Sequence, residues 1–216
     1  MLKKRGGFPE KRCVIVAGAG IGDYDHIRAY LHPTDFMVYC DSGLAHMERL
    51  RAPAHLIVGD FDSHERPDLP VETIVLPEEK DDTDTVYAVN EAIARGYDDF
   101  LLIGTTGGRL DHTLGNISIL LRLDTLQKRA AIVDDISEIE IVSSRPVTVP
   151  GSFAYFSLLG IDGQAKGISV ENAKYPLSDA TIDSEYPYGI SNEVLPGKEA
   201  LIRVGEGRLL LVKIRA

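Results

Sequence analysis

The chain has 216 residues, 33 of them acidic and 23 basic, for a net charge of −10. With 44% hydrophobic and 26% charged residues it has the composition of a soluble globular protein, which excludes a disordered tail, a collagen and a small disulfide scaffold. The acidic balance also argues against a nucleic-acid partner, because the one basic run is Lys3-Lys4-Arg5. At about 150 residues per domain the length allows one or two domains. The longest apolar run, Cys13 to Ile21, is too short to cross a bilayer. Gly6-Gly7-Phe8-Pro9-Glu10 is no signal core, so a cytoplasmic protein is expected, with no membrane association. Cys13 and Cys40 fall inside apolar runs and read as reduced core thiols.

Residues 12–135 alternate apolar runs with helical patterns. Cys13–Ala17, Phe36–Cys40, His55–Val58, Thr73–Leu76, Phe100–Ile103 and Ala130–Val133 are short and rich in Val, Ile and Leu. Strands buried on both faces of a mostly parallel sheet have this composition. Between them, Thr85–Arg95 carries Val86, Val89 and Ile93 at helical spacing, with Gly96 as a stop. His112–Lys128 carries Leu114, Ile117 and Leu121 on one face. The expectation is a layered α/β/α domain.

The pattern changes near Arg145. Val147–Val149, Phe153–Leu159, Ile168–Val170, Ala200–Val204 and Arg208–Ile214 are strand-like, with no helix of useful length among them. Val204-Gly205-Glu206-Gly207-Arg208 reads as a hairpin turn. Residues 1–143 are therefore expected to form the α/β domain and 144–216 a small antiparallel β domain.

In open α/β sheets ligands bind outside the carboxyl ends of the strands. Here those ends carry acids: Asp41 after the second run, Asp60 and Asp62 after the third, Lys80-Asp81-Asp82-Thr83-Asp84 after the fourth, and Gly108-Arg109-Leu110-Asp111-His112 after the fifth. Asp is also a favoured turn and cap residue, which would account for any one of them. Four together repel one another unless a cation neutralises them, and hard oxygen donors beside substrate phosphates suit Mg²⁺ or Ca²⁺. Asp60 and Asp62, two apart, face one side if the chain is extended there. The glycine-rich stretch Gly104–Asp111 can offer backbone N–H groups to phosphate, and Arg109 a planar fork. It matches neither the Walker loop nor the dinucleotide fingerprint, and Ala17-Gly18-Ala19-Gly20-Ile21-Gly22 is only a weak dinucleotide signal. His112 and Asn116, one turn apart, read either as a helix-start pair or as support for the phosphate site.

The ordered set Asp41-Ser42-Gly43, Gly59-Asp60-Phe61-Asp62-Ser63, Lys80-Asp81-Asp82-Thr83-Asp84 and Gly108-Arg109-Leu110-Asp111-His112 with Asn116 resembles the thiamin pyrophosphokinase family. So do Gly167-Ile168-Ser169, Lys174-Tyr175-Pro176-Leu177 and Gly189-Ile190-Ser191-Asn192-Glu193 farther on. The resemblance implies an α/β N-terminal domain followed by a C-terminal β-sandwich, and transfer of a diphosphate group from ATP to the hydroxyl of thiamin, with Mg²⁺, by a homodimer whose site lies between subunits. It implies metal-holding roles for Asp60, Asp62 and Asp84 and a further active-site and substrate-binding acid at Asp41; Asp41 and Asp111 are both catalytic candidates for accepting the hydroxyl proton, and the sequence does not choose between them. It implies nucleotide contacts from Lys80, Thr83, Arg109, Asp111 and His112, and thiamin contacts from Ser191 and Asn192. Some members stack thiamin on a Trp after the Ser-Asn turn; this chain has no Trp. Two alternatives stand beside this: a diphosphokinase for another alcohol such as a pterin, and a non-catalytic nucleotide-binding sensor.

Overall fold

The computed structural model describes residues 11–61, 68–77, 79 and 81–216. The chain divides into two compact units, Met1–Ala130 and Ala131–Ala216.

The first unit is built on five parallel strands: β1 (Arg12–Val16), β2 (Phe36–Cys40), β3 (Leu56–Gly59), β4 (Glu72–Val75) and β5 (Asp99–Ile103). They lie in the order β5-β1-β2-β3-β4. In β1, β2, β3 and β5 nearly every consecutive residue is buried. Consecutive side chains point to opposite faces, so both faces of these strands are covered. The edge strand β4 is half exposed. Helices α1 (Tyr24–Arg28), α2 (Met47–Leu50), α3 (Asp84–Ala94) and α4 (Leu110–Thr125) connect the strands, with a 3₁₀ turn over Asp41–His46. Helix α3 packs on β1, β2 and β3 through its buried face, which includes Thr85, Ala88, Val89 and Ala92. All the strands expected in this unit and both long helices are present; these strands and α3 lie within one residue of their sequence bounds, while α4 starts two residues before and ends three residues before the expected His112–Lys128. Cys13 and Cys40 are free and buried, and burial raises both thiol pKa values, that of Cys13 to about 12.

The second unit is antiparallel. Strands β6 (Arg129–Val133), which begins at the boundary, β7 (Ser137–Val142), β14 (Leu209–Arg215), β9 (Phe153–Gly160) and β12 (Gly189–Asn192) follow one another in hydrogen-bonded order. Strands β8 (Val147–Pro150), β13 (Glu199–Arg203), β10 (Ala165–Glu171) and β11 (Leu177–Ile182) form a second sheet. The inward residues of both sheets, among them Val142, Phe156, Leu209 and Leu211 from one and Val149, Ile168, Val170 and Ile202 from the other, form one core. This is the expected sandwich. The compact units divide thirteen residues before the boundary read from the sequence, because β6 and β7 pair antiparallel.

One turn differs from expectation. Val204–Arg208 joins no hairpin: β13 pairs with β8 and β10, whereas β14 pairs with β7 and β9. The segment carries the chain from one sheet to the other. The Gly205 and Glu206 N–H groups both donate to the Lys166 carbonyl, and Lys166 N–H donates to the Glu206 carbonyl. Alternation on either side of a glycine pair cannot distinguish a hairpin from such a crossover, since both need two extended segments and a tight turn.

Candidate active site

Three of the strand-end acids come together. Asp41 opens the 3₁₀ turn after β2, Asp60 follows β3 and Asp84 is the first residue of α3. One carboxylate oxygen from each lies within 4.8 Å of the other two, and all three residues are partly buried. Close packing of the strand ends makes this possible. A Cβ on Gly18 would collide with Ser42 Oγ, one on Gly43 with the Val16 carbonyl, and one on Gly104 with the Ala17 carbonyl. Three acids so near one another, in a half-buried position, need a counter-charge, and an all-oxygen donor set suits a hard divalent cation. The donors present therefore fit the metal that the sequence implies.

Asp62, Ser63 and Lys80 lie outside the described residues. The backbone before Asp62 departs from the extended form: Phe61 has φ of +56°, in the left-handed region. Such a conformation costs a non-glycine residue about 1–2 kcal/mol and concentrates at functional sites.

Thr83 caps α3, its hydroxyl accepting from the Val86 N–H at 3.3 Å. Asp111 and Arg109 stand as an exposed bidentate pair: Arg109 Nη2 donates to Asp111 Oδ2 at 2.5 Å and Nε to Oδ1 at 3.2 Å. The guanidinium holds the Asp111 carboxyl down to about 2. Both side chains are solvated, so the pair itself contributes little stability and can rearrange. His112 lies exposed in the first turn of α4. Asn116 does not pair with it. It is buried, and its Nδ2 donates to the Thr105 carbonyl at 2.8 Å, tying α4 to the glycine-rich loop after β5. Within that loop Gly107 N–H donates to Thr113 Oγ1 at 3.2 Å.

In the second unit Ser191 is exposed, with φ of +57°, and its N–H donates to Ser157 Oγ at 3.0 Å. Asn192 is buried. Its Oδ1 accepts from the N–H groups of Tyr175 (3.0 Å) and Glu193 (2.9 Å), and its Nδ2 donates to the Tyr175 carbonyl at 2.8 Å. The amide is thereby spent on holding the turn that presents Tyr175. That side chain is 59% exposed and has the Lys174 ammonium 5.7 Å from its ring centroid. The resemblance picks out both the Ser191-Asn192 turn and the Lys174–Leu177 stretch, but not the bonds that join them, which no local motif records.

Residues 27–133 match the family model described as thiamin pyrophosphokinase, catalytic domain, and residues 139–209 match thiamin pyrophosphokinase, vitamin B1 binding domain. A curated relative, thiamine pyrophosphokinase of Bacillus subtilis, is 27% identical over 143 residues, spanning 62% of this chain and 64% of the relative. The crystal structure of that species' thiamine pyrophosphokinase superposes with a TM-score of 0.83 at 24% identity, covering 95% of this chain and all of the other. The thiamin pyrophosphokinase of Geobacillus thermodenitrificans gives a TM-score of 0.80 at 26% identity, covering 95% of this chain and 98% of the other. The acids gathered at the strand ends lie in the stretch matched to the catalytic domain, and the Ser191-Asn192 turn in the stretch matched to the vitamin-binding domain. The chain belongs to the thiamin pyrophosphokinase family.

Proposed function

We propose that the protein transfers the terminal diphosphate of ATP to the hydroxyl of thiamin, giving thiamin diphosphate and AMP. The observation that carries this reading is the convergence of Asp41, Asp60 and Asp84 in the stretch that matches the family's catalytic domain. A chain that pairs this stretch with a vitamin B1 binding domain favours thiamin over a pterin or another alcohol.

In the reaction the hydroxyl oxygen of thiamin bonds to the β-phosphorus of ATP. The bond from that phosphorus to the α–β bridging oxygen breaks, and the electron pair leaves with AMP. Such transfers need positioning and charge neutralisation more than covalent work by the protein. Asp41, Asp60 and Asp84, with Asp62 by resemblance, would hold a divalent cation, Mg²⁺ in our reading. When bound, the cation supplies neutralisation of the phosphate charge. Arg109 offers a fork to a phosphate oxygen at the start of α4, once it loosens its hold on Asp111. The hydroxyl proton goes to a carboxylate. Asp41 and Asp111 are the candidates: Arg109 keeps the Asp111 carboxyl low while it holds it, and frees it when the fork turns to the phosphate. In the second unit, Ser191 and the Tyr175 ring offer a hydroxyl and an aromatic face to a cationic, ring-shaped substrate. Exposed Tyr155, Tyr186, Tyr188 and Ile190 in the same unit support pairing of two copies. The two buried free thiols fit a reducing, cytoplasmic setting.

The decisive experiment is an assay for AMP release from ATP with and without thiamin and Mg²⁺. Release that needs both is the expected result. Release with a pterin alcohol but not with thiamin, or ATP binding with no turnover on any alcohol, would overturn the proposal.

A further inference from the structure

His46 ends the 3₁₀ turn that Asp41 begins. It is 7% exposed, and both ring nitrogens are engaged. Nε2 lies 3.0 Å from the Ala19 carbonyl. A carbonyl only accepts, so Nε2 carries the proton. Nδ1 then accepts from the Tyr24 hydroxyl at 2.6 Å. The Tyr24 ring is in turn covered by the Arg49 guanidinium, 3.8 Å from its centroid. Burial and Arg49 both lower the pKa of His46, so the ring works as a neutral donor–acceptor bridge.

What the bridge connects matters more than its burial. The Ala19 N–H donates to the Gly104 carbonyl at 2.9 Å, while Ala17 N–H donates to the Ile103 carbonyl at 2.8 Å. One residue, Ala19, is therefore held through the peptide groups on both of its sides. His46 grips its carbonyl from the turn that carries Asp41, and Gly104 grips its N–H from the loop after β5 that leads to Arg109. The contact runs from α1 through the Asp41 turn and the loop after β1 to the glycine-rich loop. No backbone hydrogen bond between strands β2 and β5 can do this, because β1 lies between them.

We propose that His46 is a positioning residue of the active site, which fixes the Asp41 turn against the loop after β1 and thereby holds the carboxylate cluster in its metal-binding geometry. It touches neither metal nor substrate; it acts through Ala19 and the turn. This rests on the reading of Asp41, Asp60 and Asp84 as metal-holding carboxylates. A side chain that can donate to Ala19 and accept from Tyr24 at once is needed, and among uncharged residues Gln also has a donor and an acceptor at similar spacing. Leu fills space but makes neither bond.

The test compares wild type, His46→Leu, His46→Gln and Tyr24→Phe in the full chain. The direct readout is Mn²⁺ binding by electron paramagnetic resonance, in the presence of α,β-methylene ATP, whose bridge cannot be cleaved. Mn²⁺ stands in for Mg²⁺ at oxygen ligands. Expected is a loss of Mn²⁺ affinity of about tenfold or more in folded His46→Leu, the size seen for supporting residues of metal ligands. His46→Gln should retain most of the affinity, and Tyr24→Phe, which breaks one bond and keeps the ring, should fall between. In turnover the metal requirement should rise and kcat fall, with KM for thiamin little changed. Wild-type Mn²⁺ affinity in folded His46→Leu would overturn the proposal. If that variant does not fold, wild-type affinity in Tyr24→Phe, or a loss of Mn²⁺ binding in folded His46→Gln as complete as in a cluster variant such as Asp60→Asn, would overturn it equally. A chain that shows the expected order of affinities but uses another alcohol would support the role of His46 while defeating the thiamin assignment, so the two readings fail separately.

Discussion

A Cβ built on Gly59 would lie 3.0 Å from the Cβ of Asp41 and 3.2 Å from its Cα. The last residue of β3 thus has to be small for the first residue after β2 to sit beside Asp60. The carboxylate cluster depends on this approach of two neighbouring strand ends as much as on the acids themselves. Gly59→Ala should push the Asp41 turn outward by a few tenths of an ångström. Small displacements at a reacting centre cost disproportionately, so kcat should fall by roughly tenfold or more. The added methyl should cost less than about 2 kcal/mol of stability. Steady-state kinetics beside thermal unfolding checks this; an unchanged kcat would show that Asp41 has no exact placement to lose.

The acids themselves behave differently from core residues. Asp60→Asn and Asp84→Asn each remove a charge from a self-repelling cluster. For Asp84 the relief competes with loss of a favourable charge at the start of α3, worth about 0.3–1 kcal/mol. Stability should therefore stay within about 1 kcal/mol of wild type in both variants, as for surface changes generally. Turnover should be lost in both. Near-normal turnover at saturating Mg²⁺ in either one would remove that carboxylate from the metal site.

Much of this was legible in the sequence, for identifiable reasons. Strands buried on both faces are continuous apolar runs, and the strand-end rule then points to a set of acids that holds Asp41, Asp60 and Asp84 together with Asp62, Asp81, Asp82 and Asp111; which of them converge is decided by the fold. The crossover at Val204–Arg208 was not legible, because pairing partners are a tertiary choice that local turn chemistry does not encode. Neither was His46. A histidine in the stretch Leu44-Ala45-His46-Met47 has no pattern to distinguish it, and its significance comes from Ala19 and Tyr24, 27 and 22 positions away. Asn192 was found by resemblance, but its grip on the Tyr175 backbone depends on the burial of its amide, which no motif records.

Arg109→Lys keeps the charge at the start of α4 and loses the fork. In the wild-type protein Nε and Nη2 together engage Asp111; an ammonium cannot reproduce that geometry. If the same fork receives a phosphate oxygen of ATP, the substitution should lower kcat/KM for ATP by about tenfold, the weight of one good charged hydrogen bond. KM for thiamin should change little. The Asp111 carboxyl, no longer held by two bonds, should titrate at higher pH than in wild type, which NMR can follow. Wild-type ATP kinetics would mark Arg109 as a surface residue that only pairs with its neighbour.

The buried Lys213 offers a test of the second unit that is independent of the active site. In the β7–β14 ladder Lys213 stands opposite Glu138, and Leu211 opposite Glu140. Alternation puts both acids and the lysine on the face that also carries Val142, Leu209 and Leu211, which belong to the sandwich core. Lys213 Nζ donates to Glu140 Oε1 at 2.7 Å and to Glu138, and it lies 5.5 Å from the Phe153 ring centroid. Burial pushes the Glu140 carboxyl up to about 7 and the Lys213 ammonium down to about 8. Lys213→Met leaves two carboxylates without their cation, and breaking a buried pair in this way costs about 3–5 kcal/mol. The loss should depend on pH with a definite sign. A carboxyl whose folded pKa lies above its unfolded value favours the folded state at low pH and penalises it as pH rises through the folded value. Without the ammonium Glu140 shifts up further, so Lys213→Met should be most destabilised above pH 7 and should recover as pH falls toward the ordinary value of 4.5. Replacing all three together, Glu138→Gln, Glu140→Leu and Lys213→Met, removes the buried charges and should restore most of the stability, since apolar substitutes for buried ion groups are often neutral or better. Urea unfolding of the three proteins at pH 5.5 and 8 measures each term. A Lys213→Met variant equally stable at both values would mean that the acids reach solvent and that the triad is not a buried one.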